Sequence, residues 1–139
     1  KRFLDNTVTH FDADWGQQER LATESLQRFD NALIRTHEIF GENAFKKWNG
    51  EKYERRPNRA VIDIMSRFFS PVTQHLVDAQ REALEEAFKA ECVGNEQFRN
   101  SIERTTKTPS AVRVRHMVWG EAVAKILNKT LHVQDMRVV

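Results

Sequence analysis

The chain of 139 residues predicts an all-α domain, and three observations carry that reading. Apolar residues recur at a spacing of three and four almost throughout. Helix-start and helix-stop signals stand between the periodic segments. The one non-helical insertion of note is FGENAFKKWNGEKYERRPNRAVID, residues 40–63. The length fits one domain with one core. The expected architecture is a single compact bundle of four main helices plus one or two short ones, spanning residues 1–128, with a tail at 129–139.

Residues 3–11 form a stub whose state the sequence leaves open. A long helix follows over residues 14–40, because Ala22, Leu26, Phe29, Leu33, Thr36 and Phe40 step by four and three along one face. Asp14 with Gln17 reads as an N-cap and its reciprocal partner. Gly41 ends that helix, and Asn49-Gly50 reverses the chain in a tight turn. A second helix is expected over residues 57–69, where Ala60, Val61, Ile64, Met65, Phe68 and Phe69 recur as doublets four apart. Ser70-Pro71 then reads as a cap followed by proline at the first helical position. The helix it launches carries Leu76, Val77, Ala83, Leu84, Ala87 and Phe88 and stops at Gly94. Asn95 caps a shorter helix with Phe98 and Ile102 inward. Thr108-Pro109 repeats the cap-and-proline signal for a last helix through Leu127, with Val114, Val118, Ala122 and Ile126 on one side. The tail KTLHVQDMRVV has β-leaning residues and no partner strand, so it reads as frayed or as a docking segment.

Lys plus Arg total 22 against 20 for Asp plus Glu, and a net charge of +2 does not identify a nucleic-acid binder. Cys92 is the only cysteine, which excludes an internal disulfide and agrees with a reducing, cytoplasmic setting. No apolar run has the length of a membrane span, so no membrane partner is expected. The chain opens on Lys1 and Arg2 without an initiator methionine, and the expectation is a piece of a larger protein.

A search for catalytic chemistry gives mostly negatives. His10, His37, His75, His116 and His132 never fall at zinc-ligand spacing with one another or with Cys92. HExxH, Walker A, GxGxxG and GxSxG patterns are missing, so neither a metal nor a cofactor is expected. Cys92 reads as a small buried hydrophobe, His116 as a solvated surface histidine, and Glu82, Glu85, Glu86 and Glu91 as a charged helix face. WGQQER, residues 15–20, is similar to a short Gly-Gln-Gln-Arg nucleotidase signature, but Glu19 interrupts it and the setting is a helix start.

The insertion holds the positive charge. Lys46, Lys47, Lys52, Arg55, Arg56, Arg59 and Arg67 stand against Glu51, Glu54 and Asp63, interleaved with Phe45, Trp48 and Tyr53. Cations among aromatics suit phosphates and stacked bases. The competing reading has Phe45 and Trp48 capping the core while the arginines lie over it. A second cluster comprises Arg104, Lys107, Arg113, Arg115 and His116, and residues 78–96 are acidic. Arg59 and Asp63 are four apart, a helical-neighbour pair, and Arg56 is an alternative partner for the same carboxylate. Asn58 is expected to bond the backbone of the 41–53 loop. The candidate nucleic-acid contacts are therefore Lys46, Lys47, Lys52, Arg55, Arg113 and Arg115. Phe40, Gly41, Phe45, Trp48, Asn58, Arg59 and Asp63 form a structural motif.

The blocks FGENAFKKW, RRPNRAVIDIM and FRNSIERTTKTPSAVRVRHMVWGEAV, spread over residues 40–126, resemble the C-terminal helical region of bacterial GmrSD-type proteins. In that family an N-terminal ParB/sulfiredoxin-like domain with an Asp-Gly-Gln-Gln-Arg motif acts in nucleotide-dependent restriction of modified phage DNA, and some members add an HNH nuclease domain. Neither catalytic motif is present in this chain, so no catalytic residue carries over. The resemblance implies a non-catalytic helical accessory domain of a DNA-defence protein, with the missing N-terminal domain as one partner and nucleic acid as another.

Three function classes follow. A nucleic-acid-contacting accessory domain requires the two basic clusters to share a face. A protein-interaction or dimerisation domain requires an exposed apolar patch. An enzyme requires a convergent acidic or histidine pocket.

Overall fold

The computed structural model describes residues 2–104 and 106–127, so the expected tail lies outside the described residues. The chain is all-α. Its helices are α1 (Arg2–Ala13), α2 (Trp15–Phe40), α3 (Arg59–Phe69), α4 (Gln74–Gly94), α5 (Glu96–Glu103) and α6 (Pro109–Leu127). Between α2 and α3 a 3-10 turn (Gly41–Asn43) leads into a hairpin of β1 (Lys46–Trp48) and β2 (Tyr53–Pro57).

The open stub is thus a helix, α1, and the insertion contains two short antiparallel strands that helical periodicity did not reveal. Lys46 pairs with Pro57 and Trp48 with Tyr53, across an irregular register. Asn49 Oδ1 accepts from the backbone N–H groups of Glu51 and Lys52, and Gly50 supplies the positive φ of 104° that the reversal needs. Pro57 closes β2 instead of opening a helix. Helix α3 starts two residues later, at Arg59, because Asn58 Oδ1 caps the N–H groups of Ala60 and Val61 at 2.8 and 3.2 Å.

Other caps follow the sequence closely. Gly41, at φ 57°, returns its N–H to His37 O and ends α2. Asn95 Oδ1 accepts from Phe98 N at 3.0 Å, and Thr108 Oγ1 accepts from Ala111 N at 3.3 Å ahead of Pro109. Two cap expectations are corrected. Asp14 stands at the N-cap of α2 without a side-chain cap bond. Ser70 closes α3, and α4 begins only after Thr73. The reason lies on α2: Asn31 Nδ2 donates to Ser70 O at 2.6 Å, and Arg35 Nε to Val72 O at 3.2 Å. Those long-range bonds fix residues 70–73 as a turn with Val72 buried, so Pro71 has no helix to start.

Around Phe88 the core is aromatic. Its ring meets Phe40 at 5.5 Å, Trp119 at 5.4 Å and Phe98 at 6.3 Å between centroids, all edge to face. Ile64, Met65, Phe69, Leu84, Ile102 and Val123 fill the space between. Helices α3 and α6 approach closely at Gly120, where a Cβ would stand 2.8 Å from the Phe68 ring.

The long face of α2 is only partly covered. Ala32, Thr36, Ile39 and Phe40 are buried, whereas Leu26 and Phe29 of the same stripe are 65% and 44% exposed. Helix α1 buries nothing. The face of α6 is also rotated from expectation. Ala111, Arg115, His116, Trp119, Val123 and Leu127 are buried, and Val114, Val118, Ala122 and Ile126 are half-buried.

Candidate functional site

Two of the six candidate contacts are drawn inward. Lys47 sits on β1 with its Nζ 2.9 Å from Glu54 and 2.6 Å from Glu103, its side chain 10% exposed. Burial pulls its pKa down, but the hydrogen bonds it donates to Glu103 and Glu54 outweigh that and hold the ammonium above its ordinary value. Its role is to fasten the hairpin to the end of α5. Asn58 adds a second tie to the same place, Nδ2 donating to Ile102 O at 2.9 Å. Only its backbone N–H meets the preceding loop, at Phe45 O, 2.8 Å away. Phe45 holds a φ of 65°, a left-handed conformation uncommon for an aromatic residue.

Arg115 is the second. It lies on α6 with 5% of its surface exposed and forms the centre of a polar cluster. Its Nε and Nη2 donate to Asp63 Oδ2 at 3.0 and 2.6 Å, and its Nη1 donates to Thr106 O at 2.8 Å. His116 Nε2 stands 3.0 Å from the same oxygen. Because Arg115 shows that oxygen only donors, the carboxylate accepts from a protonated Nε2. The bond to His116 is the chief force holding the Asp63 carboxyl below the usual range; half-burial opposes it, and Arg115 adds to it. Asp63 therefore pairs across to α6 and not with Arg59 or Arg56, both of which are exposed. His116 is buried, not a solvated surface residue, and its ring meets Phe68 edge-on at 5.8 Å.

Lys52, Arg55 and Arg113 are exposed and Lys46 is half-buried, and their side chains make no hydrogen bond or ion pair among the described residues. The aromatic residues beside them belong to the fold. Trp48 and Tyr53 meet at 5.0 Å, Lys89 Nζ stands 5.1 Å over the indole, and Tyr53 Oη donates to Glu85 at 2.9 Å. Phe45 and Trp48 pack against the core, as Phe40 does from within it.

Burial pushes the Cys92 thiol up to about 12, so it is unreactive in the folded state. No three His, Cys, Asp or Glu side chains converge to hold a metal ion among the described residues. No described helix is long and apolar enough to cross a membrane. No protein-family model, curated protein or solved structure matches this chain.

What sequence reasoning missed is the exposure of apolar side chains along the N-terminal helices. Phe3, Leu4, Val8, Phe11, Trp15, Leu21, Leu26, Phe29 and Ile34 make up nine of the eleven exposed large apolar side chains among the described residues, the others being Val93 and Met117. Leu4, Val8, Phe11 and Trp15 step by four, three and four, so the signal was present in the sequence. Residues 2–30 carry Arg2, Arg20 and Arg28 against Asp5, Asp12, Asp14, Glu19, Glu24 and Asp30, three positive and six negative. The arm is apolar and acidic. Residues 31–127 carry sixteen Lys and Arg against thirteen Asp and Glu, the reverse balance.

Proposed function

We propose that this chain is a non-catalytic helical accessory domain whose N-terminal arm docks on another polypeptide. One observation carries the reading: the stripe that α2 buries from Ala32 to Phe40 continues uncovered through Leu26 and Phe29, and α1 adds a stripe of its own. Monomeric proteins seldom leave so many large apolar side chains exposed on two consecutive helices. The occupant is a helical surface with an apolar stripe flanked by Lys and Arg. It supplies along the arm what α3 and α4 supply to the end of α2, and its cations answer the six carboxylates of residues 2–30. Charge disfavours a second copy, because two arms would set six acidic side chains against six. The resemblance to GmrSD-type proteins offers a source for the occupant, the N-terminal domain of the parent protein.

Trp15, 50% exposed on the arm, provides the test. A synthetic Leu/Lys amphipathic helix should shift its fluorescence to the blue and saturate, and a Leu/Glu helix of equal length should not. Leu4→Glu, Val8→Glu and Phe11→Glu together should abolish the shift. Equal responses to both peptides, or none, would remove the arm from consideration.

A second reading, contact with nucleic acid, is favoured by one geometric fact. The bonds from Lys47 to Glu103 and from Asn58 to Ile102 fasten the hairpin base to the end of α5, so that the segment holding Arg56 and Arg59 is tied to the helix that exposed Arg104 follows. Duplex DNA binding that weakens with salt, and whose salt dependence loses about one unit of slope for each of Lys46, Lys52, Arg55 and Arg113 changed to glutamine, is its signature. Unchanged binding by the fourfold variant would dismiss it.

A further inference from the structure

A cleft of about 790 Å³ opens where the arm leaves the body, between α2 and α3, with α6 behind it. Arg28 enters from α2, Asp63, Ser66 and Arg67 from α3, and His116 from α6. Two of the residues lining it carry a buried polar atom with no hydrogen-bond partner among the described residues: Ser66 Oγ and His116 Nδ1. His116 is 6% exposed, and its other nitrogen is already committed to Asp63. Buried polar atoms are nearly always paired, so two orphans lining one cleft point to something that occupies it.

The charges state what that something is. Arg28 and Arg67 make no hydrogen bond or ion pair among the described residues. Asp63, the one carboxylate lining the cleft among the described residues, already accepts from Arg115 and His116 through Oδ2. Two guanidiniums, those of Arg28 and Arg67, thus line a cleft whose carboxylate is already paired with Arg115 from outside the lining. A planar carboxylate ligand is satisfied by one guanidinium fork. Here cationic, hydroxyl and imidazole groups converge from three helices, an arrangement suited to the several oxygens of a tetrahedral anion. With Nε2 protonated toward Asp63, Nδ1 accepts from an anion hydroxyl when the ring is neutral, and donates to an anion oxygen when it is charged.

We propose that this cleft binds a phosphoryl group, with Arg28 and Arg67 taking its charge and Ser66 and His116 Nδ1 completing its hydrogen bonds. The group has two possible sources, a small phosphate compound or the backbone of a nucleic acid.

The whole chain is titrated with inorganic phosphate, with pyrophosphate and with a short single-stranded oligonucleotide, while the imidazole nitrogens of His116 are followed by NMR. Saturable movement of Nδ1 with phosphate or pyrophosphate is the expected result. Arg28→Gln and Arg67→Gln should each weaken that binding roughly tenfold, the scale of a charged hydrogen bond. Arg81→Gln, on exposed α4 surface outside the cleft, should leave it unchanged. An oligonucleotide that displaces pyrophosphate and moves the same nitrogen identifies the backbone as the source; one that does neither identifies a small phosphate compound. No saturable movement with any of the three ligands, or equal weakening by Arg81→Gln, overturns the proposal. Both arginines are exposed, and an unchanged melting curve for each variant separates lost binding from lost fold.

Discussion

The arm, residues 2–30, and the body that begins at Ala32 are written in the same pattern, apolar residues three and four apart on helices, and they meet opposite fates. In the body the stripe of α2 is closed by α3 and α4, and Asn31 and Arg35 bind the turn between them. Toward the N-terminus of that turn the neighbours end, and Leu26 and Phe29 face outward although nothing in their spacing changes. Periodicity thus states which side of a helix is able to be buried. Whether it is buried depends on how far the packing elements extend, and that is set by residues distant in sequence.

The sharpest way to break this contrast is to cut an aromatic side chain from each region. Phe88→Ala should cost about 3–5 kcal/mol in urea unfolding, because the ring is fully buried and touches three other aromatic rings. Phe11→Ala, at 43% exposure, should stay within about 0.5 kcal/mol of the parent. A large loss for Phe11→Ala means that the arm is packed in solution and ends the comparison.

Next in size comes Asp63→Asn, expected to destabilise by about 2 kcal/mol. Breaking a buried pair costs more, but the Asp63 side chain is 41% exposed and water shares the loss. The pH dependence has a definite sign. Since the folded carboxyl titrates below its unfolded value of about 3.9, its contribution is present above that pH and is lost as pH falls through the lower folded value. The parent should therefore lose stability through that acid window, and the difference between parent and Asp63→Asn should shrink there. A constant difference across the window would mean that the pair is not formed.

Smaller effects should follow at the helix joints. Asn58→Ala removes a cap to two N–H groups and a bond to Ile102 O, at about 1–2 kcal/mol by thermal or urea denaturation. Gly120→Ala forces the Phe68 ring aside, a crowding cost of about 1–3 kcal/mol from which the better helix propensity of alanine returns about 1. A stabilised Gly120→Ala variant would show that α3 and α6 do not approach so closely.

Most local signals were legible in the sequence, the Asp14 cap being an exception, and long-range ones were not. Gly41, Asn49-Gly50, Asn95 and Thr108-Pro109 act on neighbours within four residues, and each does what its chemistry specifies. Ser70-Pro71 misleads because its carbonyl is captured by Asn31, 39 residues away. The face of α6 misleads because two inward positions hold Arg115 and His116, which read as surface until Asp63 is placed opposite them. The same pair hid the candidate cleft. The hairpin stayed unseen because β1 has three residues, too few to establish an alternation.

Cys92 gives the comparison a clock. As the single cysteine, 1% exposed behind β1 on α4, it meets a thiol reagent only when the body opens. Its labelling rate in native buffer therefore reports how often the body opens, without any engineered probe. An arm that docks on a partner need not alter that rate, whereas a ligand that bridges α2, α3 and α6 should slow it in proportion to occupancy. One thiol can thus distinguish events at the rim of the molecule from events that reach its centre.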